Sequence, residues 1–378
     1  MKELIHSNPE LLITVVGVGG CGCNTINMLH ENGLSEQVNL IAVNTDLAAL
    51  NTLQVEQKIL IGENLTKGYG AGSNPEVGLK AAQESEELLI NAIKNSDIVI
   101  VTAGFGGGTG TGASPLVCRI ARELNINCLA LVTLPFESEG KTRMDFALQG
   151  IEEIKEPVHA YITLSNDLLL KGLGKSVGLF SAFNQSNDVL KNLLISLVQM
   201  LTETGYVNVD KNDFSSILSY EGESILGVGK AEKEELAFEA LDQALNNPLV
   251  SIANIDTAKG IIFQLFCKSE PKLSTYNGLI EHIREKISNK SVLIVPGVTL
   301  DPALSSEIEI LIVASGIASL SSDYNLADGE QIIDRNLINA ENYGELTSNN
   351  NPEQSYTDIP AITRKLRTDK LTKNNSMS

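Results

Sequence analysis

The sequence predicts an α/β protein: a Rossmann-like parallel-sheet domain, a long central helix and a second, smaller α/β domain. Three observations predict it. From Leu11 to about Ser165, short β-branched runs alternate with amphipathic stretches, the pattern of parallel strands joined by helical crossovers. Two glycine loops each follow an apolar strand and precede a helical stretch. Residues 177–203 then form one uninterrupted helical pattern, after which strands and helices resume.

In chain order, the strand candidates of the first domain are "LLITVV", "VNLIAV", "QKILI", "DIVIVTA", "NCLALVTL" and "HAYITL". Helices are predicted over 76–93, 115–124 and 141–154; Pro115 reads as a helix start and Asn125 as its end. The pattern at 177–203 predicts a helix of about 27 residues, roughly 40 Å long, with Gly205 as its C′ glycine. Beyond it, strands are expected at 224–229, 260–268, 291–296 and 307–315, and helices at 232–246 and 274–287. The divisions follow: a tail at 1–10, a first domain at 11–176, the helix at 177–204 and a second domain at 205–316. Residues 317–355 are Asn/Ser/Glu-rich, the composition of a disordered linker, and 356–378 carry a mixed apolar and basic peptide.

Composition narrows the function classes. The chain has 378 residues, 43% hydrophobic and 20% charged, with a net charge of −19 and no Trp. Such a charge opposes nucleic-acid binding, and 4% aromatics leave no stacking platform. No apolar run approaches the length of a membrane span and "MKELIHSNPELL" lacks the apolar core of a signal peptide, so a cytoplasmic protein is expected. The five Cys form no disulfide framework; Cys21 and Cys23 lie inside a glycine loop, where small side chains are needed.

The first loop, "GVGGCGCN" at 17–24, satisfies G-x-G-x-x-G through Gly17, Gly19 and Gly22, with Asp46 placed 24 residues on. Alone, it allows an NAD-dependent oxidoreductase. The second loop, "GGGTGTG" at 106–112, offers more backbone amides, a helix N-terminus and the hydroxyls of Thr109 and Thr111. Two such loops on neighbouring strands suit a long polyphosphate better than one pyrophosphate. A P-loop does not fit "GKT" at 140–142, because Pro135 stands where its first Gly belongs.

With "NTD" (44–46), "GAGSNPEVG" (70–78), "PFESEGKTR" (135–143), "SND" (165–167) and "NVDKND" (208–213), these loops resemble the tubulin/FtsZ superfamily, in particular its bacterial cell-division branch. The resemblance runs in order from about residue 11 to 316, and "DIPAITRKL" is similar to the branch's C-terminal peptide. It implies a GTP/GDP site with Mg²⁺ on the phosphates, head-to-tail filaments forming a mid-cell division ring, and GTP hydrolysis between subunits. By the same resemblance, Gly20, Cys21, Gly22, Cys23 and Asn24 line phosphates and base. Gly107, Gly108, Thr109, Gly110 and Thr111 hold the β- and γ-phosphates, and Ala71 and Gly72 sense the γ-phosphate. Glu139 and Arg143, four residues apart on one helix face, contact ribose and phosphate; on spacing alone they form a surface ion pair. Phe183 stacks on the base while Asn187, one turn on, reads its edge beside Asp188, and Asn166 is a further base or ribose contact.

The resemblance further implies that Asp210 and Asp213 are catalytic toward the neighbouring subunit's GTP. The central helix places them too far from their own nucleotide. Asp358, Ile359, Pro360, Ile362 and Arg364 belong to the tail that binds membrane-tethering and regulatory division proteins. The chain also departs from the pattern. Cys21 and Cys23 replace glycines, Ser165 a proline, Lys211 and Asn212 a Phe-Ala pair, and Ile362 and Thr363 a Phe-Leu pair. Glu221 and Glu223 put acid where small or apolar residues are usual. These changes leave open a non-hydrolysing GTP-binding scaffold.

Overall fold

The computed structural model describes residues 11–168, 178–220, 222–246 and 255–317; the side chains of 179, 180, 182 and 183 are outside the description. Six strands, β1 (Ile13–Val18), β2 (Asn39–Asn44), β3 (Gln57–Leu60), β4 (Ile98–Gly104), β5 (Asn127–Leu134) and β6 (Ala160–Ser165), form a wholly parallel sheet in the order β3-β2-β1-β4-β5-β6. The central strands β1 and β4 are mostly apolar and buried along almost their whole length, broken only by the buried Thr14 and Thr102, as burial on both faces favours. Helices α1 (Gly19–Glu31), α2 (Leu47–Asn51), α3 (Glu63–Thr66), α4 (Pro75–Glu84), α5 (Glu86–Ile93), α6 (Thr109–Glu123) and α7 (Lys141–Lys155) join them.

The long α8 (Leu179–Thr202) packs Leu190, Leu193, Leu194, Leu197 and Val198 into the core beneath this sheet, which also takes in residues of the second domain. That domain comprises α9 (Lys211–Leu218), β7 (Glu223–Ala231), α10 (Ala237–Leu245), β8 (Gly260–Cys267), α11 (Leu273–Lys286), β9 (Leu293–Leu300) and β10 (Ile308–Ile317). Its sheet runs β7-β10-β8-β9, with only β8 and β9 parallel.

Polar contacts fasten the two domains. Thr163 on β6 donates to the buried carboxylate of Glu223 on β7. Ser196 on α8 donates to Glu309 on β10 at 2.5 Å, and Lys230 on β7 pairs with the same buried carboxylate at 2.8 Å. Glu223 therefore faces the domain junction; Glu221 lies outside the described residues.

Three sequence expectations need correction. The helix expected at 76–93 is two, broken at Ser85, whose hydroxyl accepts from Gly62 N at 3.0 Å. The helix expected to start at Pro115 starts at Thr109 and carries Pro115 inside it. Gly205 is no left-handed helix stop: α8 ends in extended backbone at Glu203, and Gly205 instead sits where a β-carbon would strike the carbonyl of Val298.

Candidate nucleotide site

In a parallel sheet of order 3-2-1-4-5-6, crossovers leave in opposite directions from strands 1 and 4, opening a crevice at their carboxyl ends. Both glycine loops lie there. A β-carbon on Gly22 would strike the carbonyl of Thr102, and one on Gly19, at φ +73°, would lie 2.8 Å from Gly110 N. The two loops thus press backbone to backbone. The 71–74 loop joins them: a β-carbon on Gly108 would come within 2.8 Å of Ala71 Cβ and 2.9 Å of Asn74 N. Gly20, Gly72 and Gly107, by contrast, face open space.

Three of the helices starting around this crevice are left uncapped. α1, α6 and α7 have no side-chain cap and no acid in the first turn, whereas α2, α4 and α9 are capped by Asp46, Asn74 and Asp210. Free amides and positive helix ends gathered around glycines fit an anionic polyphosphate. Asp46 accepts from Ala49 N at 3.0 Å, so the acid that completed the dinucleotide-binding pattern caps α2.

Cys21 and Cys23 brace the first loop. Cys23 Sγ donates to Val43 O at 3.4 Å, and burial pushes its thiol up to about 12. Cys21 Sγ lies 3.7 Å from Thr133 Oγ1, and burial again raises its pKa. Both thiols remain protonated and uncharged at neutral pH, leaving the cradle's field to its amides. The hydroxyl of Thr109 pairs with Thr45 Oγ1 at 2.7 Å, and Thr111 Oγ1 accepts from Gly106 N at 2.9 Å. Thr111 is almost wholly buried, folding the loop from beneath.

At the rim, Arg143 donates to Glu139, the ion pair that spacing alone suggested, and Glu139 also accepts from Phe136 N at 3.0 Å. Asp167 accepts from Glu137 N at 2.9 Å and so ties the end of β6 to the 135–143 segment. In the sequence, Asp167 is the acid of "SND", two residues beyond the last apolar strand of the first domain.

Asn24 and Asn187 meet across a cavity of about 140 Å³, which Asn27, Glu31, Asn184 and Asp188 also line. Lys191 neutralises Asp188 at 3.0 Å. Asn166 is buried and accepts from Ser186 Oγ at 2.6 Å, which turns it toward α8. The helical backbone of α8 includes Phe183, whose side chain lies outside the described residues.

Asp210 and Asp213 stand at the opposite pole. They form a reciprocal cap on α9: Asp213 N donates to Asp210 Oδ1 at 2.8 Å and Asp210 N to Asp213 Oδ2 at 3.3 Å. Between them, Lys211 Nζ reaches Asp97 Oδ1 at 2.6 Å. The Lys211 hydrogen bond, helped by Leu12 N, holds the Asp97 carboxyl below the usual carboxylate range. Asp97 immediately precedes β4, and the glycine cradle begins where β4 ends. Seven residues of strand at about 3.3 Å each put the two poles roughly 23 Å apart.

Two glycine loops at the switch point of one domain, with an acid-capped helix at the opposite end of the same sheet, define a two-domain α/β protein of the nucleotide-binding class. Residues 12–174 match the tubulin/FtsZ family GTPase domain, and residues 222–318 the FtsZ family C-terminal domain. Cell division protein FtsZ of Buchnera aphidicola subsp. Baizongia pistaciae is 35% identical over 97% of this chain and 99% of its own. That of Wigglesworthia glossinidia brevipalpis is 34% identical over 96% and 99%. An FtsZ dimer from M. jannaschii is similar in structure, with a TM-score of 0.77 at 35% identity over 83% of this chain and 90% of that one. The chain belongs to the FtsZ family of tubulin-like GTPases.

Proposed function

We propose that the chain is a GTP-dependent cell-division protein whose subunits assemble head to tail into filaments and complete each other's active sites. The observation that carries this reading is the separation of the glycine cradle from Asp210 and Asp213 at opposite poles of the first sheet. Stacking one subunit on the next brings those aspartates over the neighbour's cradle.

In this reading, Gly20, Cys21, Gly22 and Cys23 hold phosphate from the first loop, and Gly107, Gly108, Thr109, Gly110 and Thr111 from the second. Ala71 and Gly72 present their amides to the γ-phosphate. Asn24, Asn166 and Asn187 read the base, with Phe183 stacked on it, and Glu139 and Arg143 flank the ribose. The side-chain oxygen of Asn187 suits the N1–H and N2–H₂ donors of guanine, which adenine lacks. Asp210 and Asp213 each keep one carboxylate oxygen outside the helix cap, and these orient water toward the γ-phosphate. Mg²⁺ offsets the phosphate charge when bound.

The functional divisions are 11–176 for nucleotide, 177–204 for the bridge and 205–316 for activation of the next subunit. The linker at 317–355 and the tail at 356–378, with Asp358, Ile359, Pro360, Ile362 and Arg364, lie outside the described residues; the tail reading rests on the resemblance of "DIPAITRKL". It tethers the filament to membrane-bound division proteins at mid-cell, on the cytoplasmic side. Titration with a fluorescent GTP analogue tests the site. Asn187→Ala is expected to weaken GTP at least tenfold, about 1.4 kcal/mol, and to narrow its advantage over ATP. Unchanged affinity and selectivity would move the base elsewhere.

A further inference from the structure

We propose that Lys211 is a positioning residue for GTP hydrolysis, holding the catalytic end of α9 against the base of its own GTPase domain through Asp97. The proposal rests on the reading that Asp210 and Asp213 act on the neighbouring subunit.

The geometry is specific. Lys211 is the first residue of α9 and separates Asp210 from the rest of the capping box. Its ammonium lies 2.6 Å from Asp97 Oδ1, and Asp97 is itself fixed, because its Oδ2 accepts from Leu12 N at 3.0 Å and its own N–H donates to Leu12 O at 2.7 Å. One turn along α9, Ser215 Oγ donates to Lys211 O at 2.6 Å and receives Asn127 Nδ2 at 2.6 Å. The start of α9 is therefore held at the amino ends of β1, β4 and β5. The cradle occupies the carboxyl ends of β1 and β4. One rigid sheet thus sets the spacing between the half-site a subunit receives with and the half-site it offers.

Orientation at this end has large leverage. Asp210 and Asp213 must address a γ-phosphate held by another molecule, and a displacement of about 1 Å costs on the order of 100-fold in rate. Among the described residues, α9 is otherwise held by the Asn127–Ser215 hydrogen bond one turn further on and by its apolar face, Phe214, Ile217 and Leu218, whose packing is non-directional. A charged contact at the first residue of the helix fixes both direction and register.

The test compares wild type, Lys211→Met and Lys211→Arg in the full chain, with Asp213→Ala as a reference. Sedimentation measures polymer mass, GTP turnover is expressed per polymerised subunit, and thermal melting reports the folded fraction. Lys211→Met is expected to assemble with unchanged GTP affinity but to turn over at least about tenfold more slowly, with Lys211→Arg recovering most of the rate. Wild-type turnover per polymerised subunit in Lys211→Met would overturn the proposal, as would a loss matched by the loss of folded or polymerised protein. Failure of the underlying reading is distinguishable: it would leave Asp213→Ala filaments hydrolysing at the wild-type rate.

Discussion

Asp213 donates its backbone N–H to the carboxylate of Asp210 at 2.8 Å, so the carboxylates assigned to hydrolysis also start the helix that carries them. Removing one therefore has two effects, which substitution can separate. Asp210→Ala is expected to cost about 1 kcal/mol of stability through the lost cap, and turnover as well. Asp210→Asn keeps the cap and the melting temperature while turnover still falls. Thermal melting beside GTPase assays of sedimented filaments checks this; equal turnover in Asp210→Asn and wild type would leave Asp210 only its capping role.

Glycine substitutions should separate folding from binding within one loop. A β-carbon on Gly110 would strike the carbonyl of Gly104, so Gly110→Ala is expected to destabilise by about 1–3 kcal/mol. Gly107 faces open space, and Gly107→Ala should leave stability within about 0.5 kcal/mol of wild type while weakening GTP. Urea denaturation and nucleotide titration of the two variants read out the contrast.

Lys230 neutralises the buried carboxylate of Glu309, to which Ser196 also donates. Lys230→Met leaves that carboxylate uncompensated, and is expected to cost about 1–3 kcal/mol, since Lys230 is itself partly exposed to water. Replacing both residues, in Lys230→Met with Glu309→Leu, should recover part of the loss. Denaturation curves of the single and double variants measure it.

A pH dependence follows from His159. Its Nδ1 accepts from Cys128 N at 3.1 Å, which fixes the neutral tautomer. Burial, then the charge of Arg122, lowers its pKa below the ordinary 6.5. The unfolded chain takes up this proton first, so the contribution is present above pH 6.5 and is lost as pH falls through the lower folded value. Thermal midpoints between pH 7 and 5 should fall less steeply in His159→Asn than in wild type; parallel slopes would contradict this.

Much of the fold was legible because its signals are local. Strands β1, β4 and β5 are short, mostly apolar runs rich in Val, Ile and Leu, and each glycine loop adjoins one of them. The start of α6 was not legible. Gly110 and Gly112 disfavour helix locally, but they let α6 press on the backbone of Gly104 and of Pro75 in α4, and that packing overrides propensity. Ser85 breaks a helix whose apolar period runs straight through it, because its hydroxyl is engaged by Gly62 N, 23 residues away. At the site, residue types were readable and partnerships were not. Nothing in the spacing joins Lys211 to Asp97, 114 positions apart, or Asp167 to the turn at Glu137.

The most direct test of a site shared between subunits is the GTPase rate against protein concentration with Mg²⁺, followed beside light scattering for wild type and Asp213→Ala. Shared catalysis predicts almost no turnover below a threshold concentration, a steep rise above it as scattering appears, and Asp213→Ala filaments that form without turning over. A rate strictly proportional to protein from zero would contradict it.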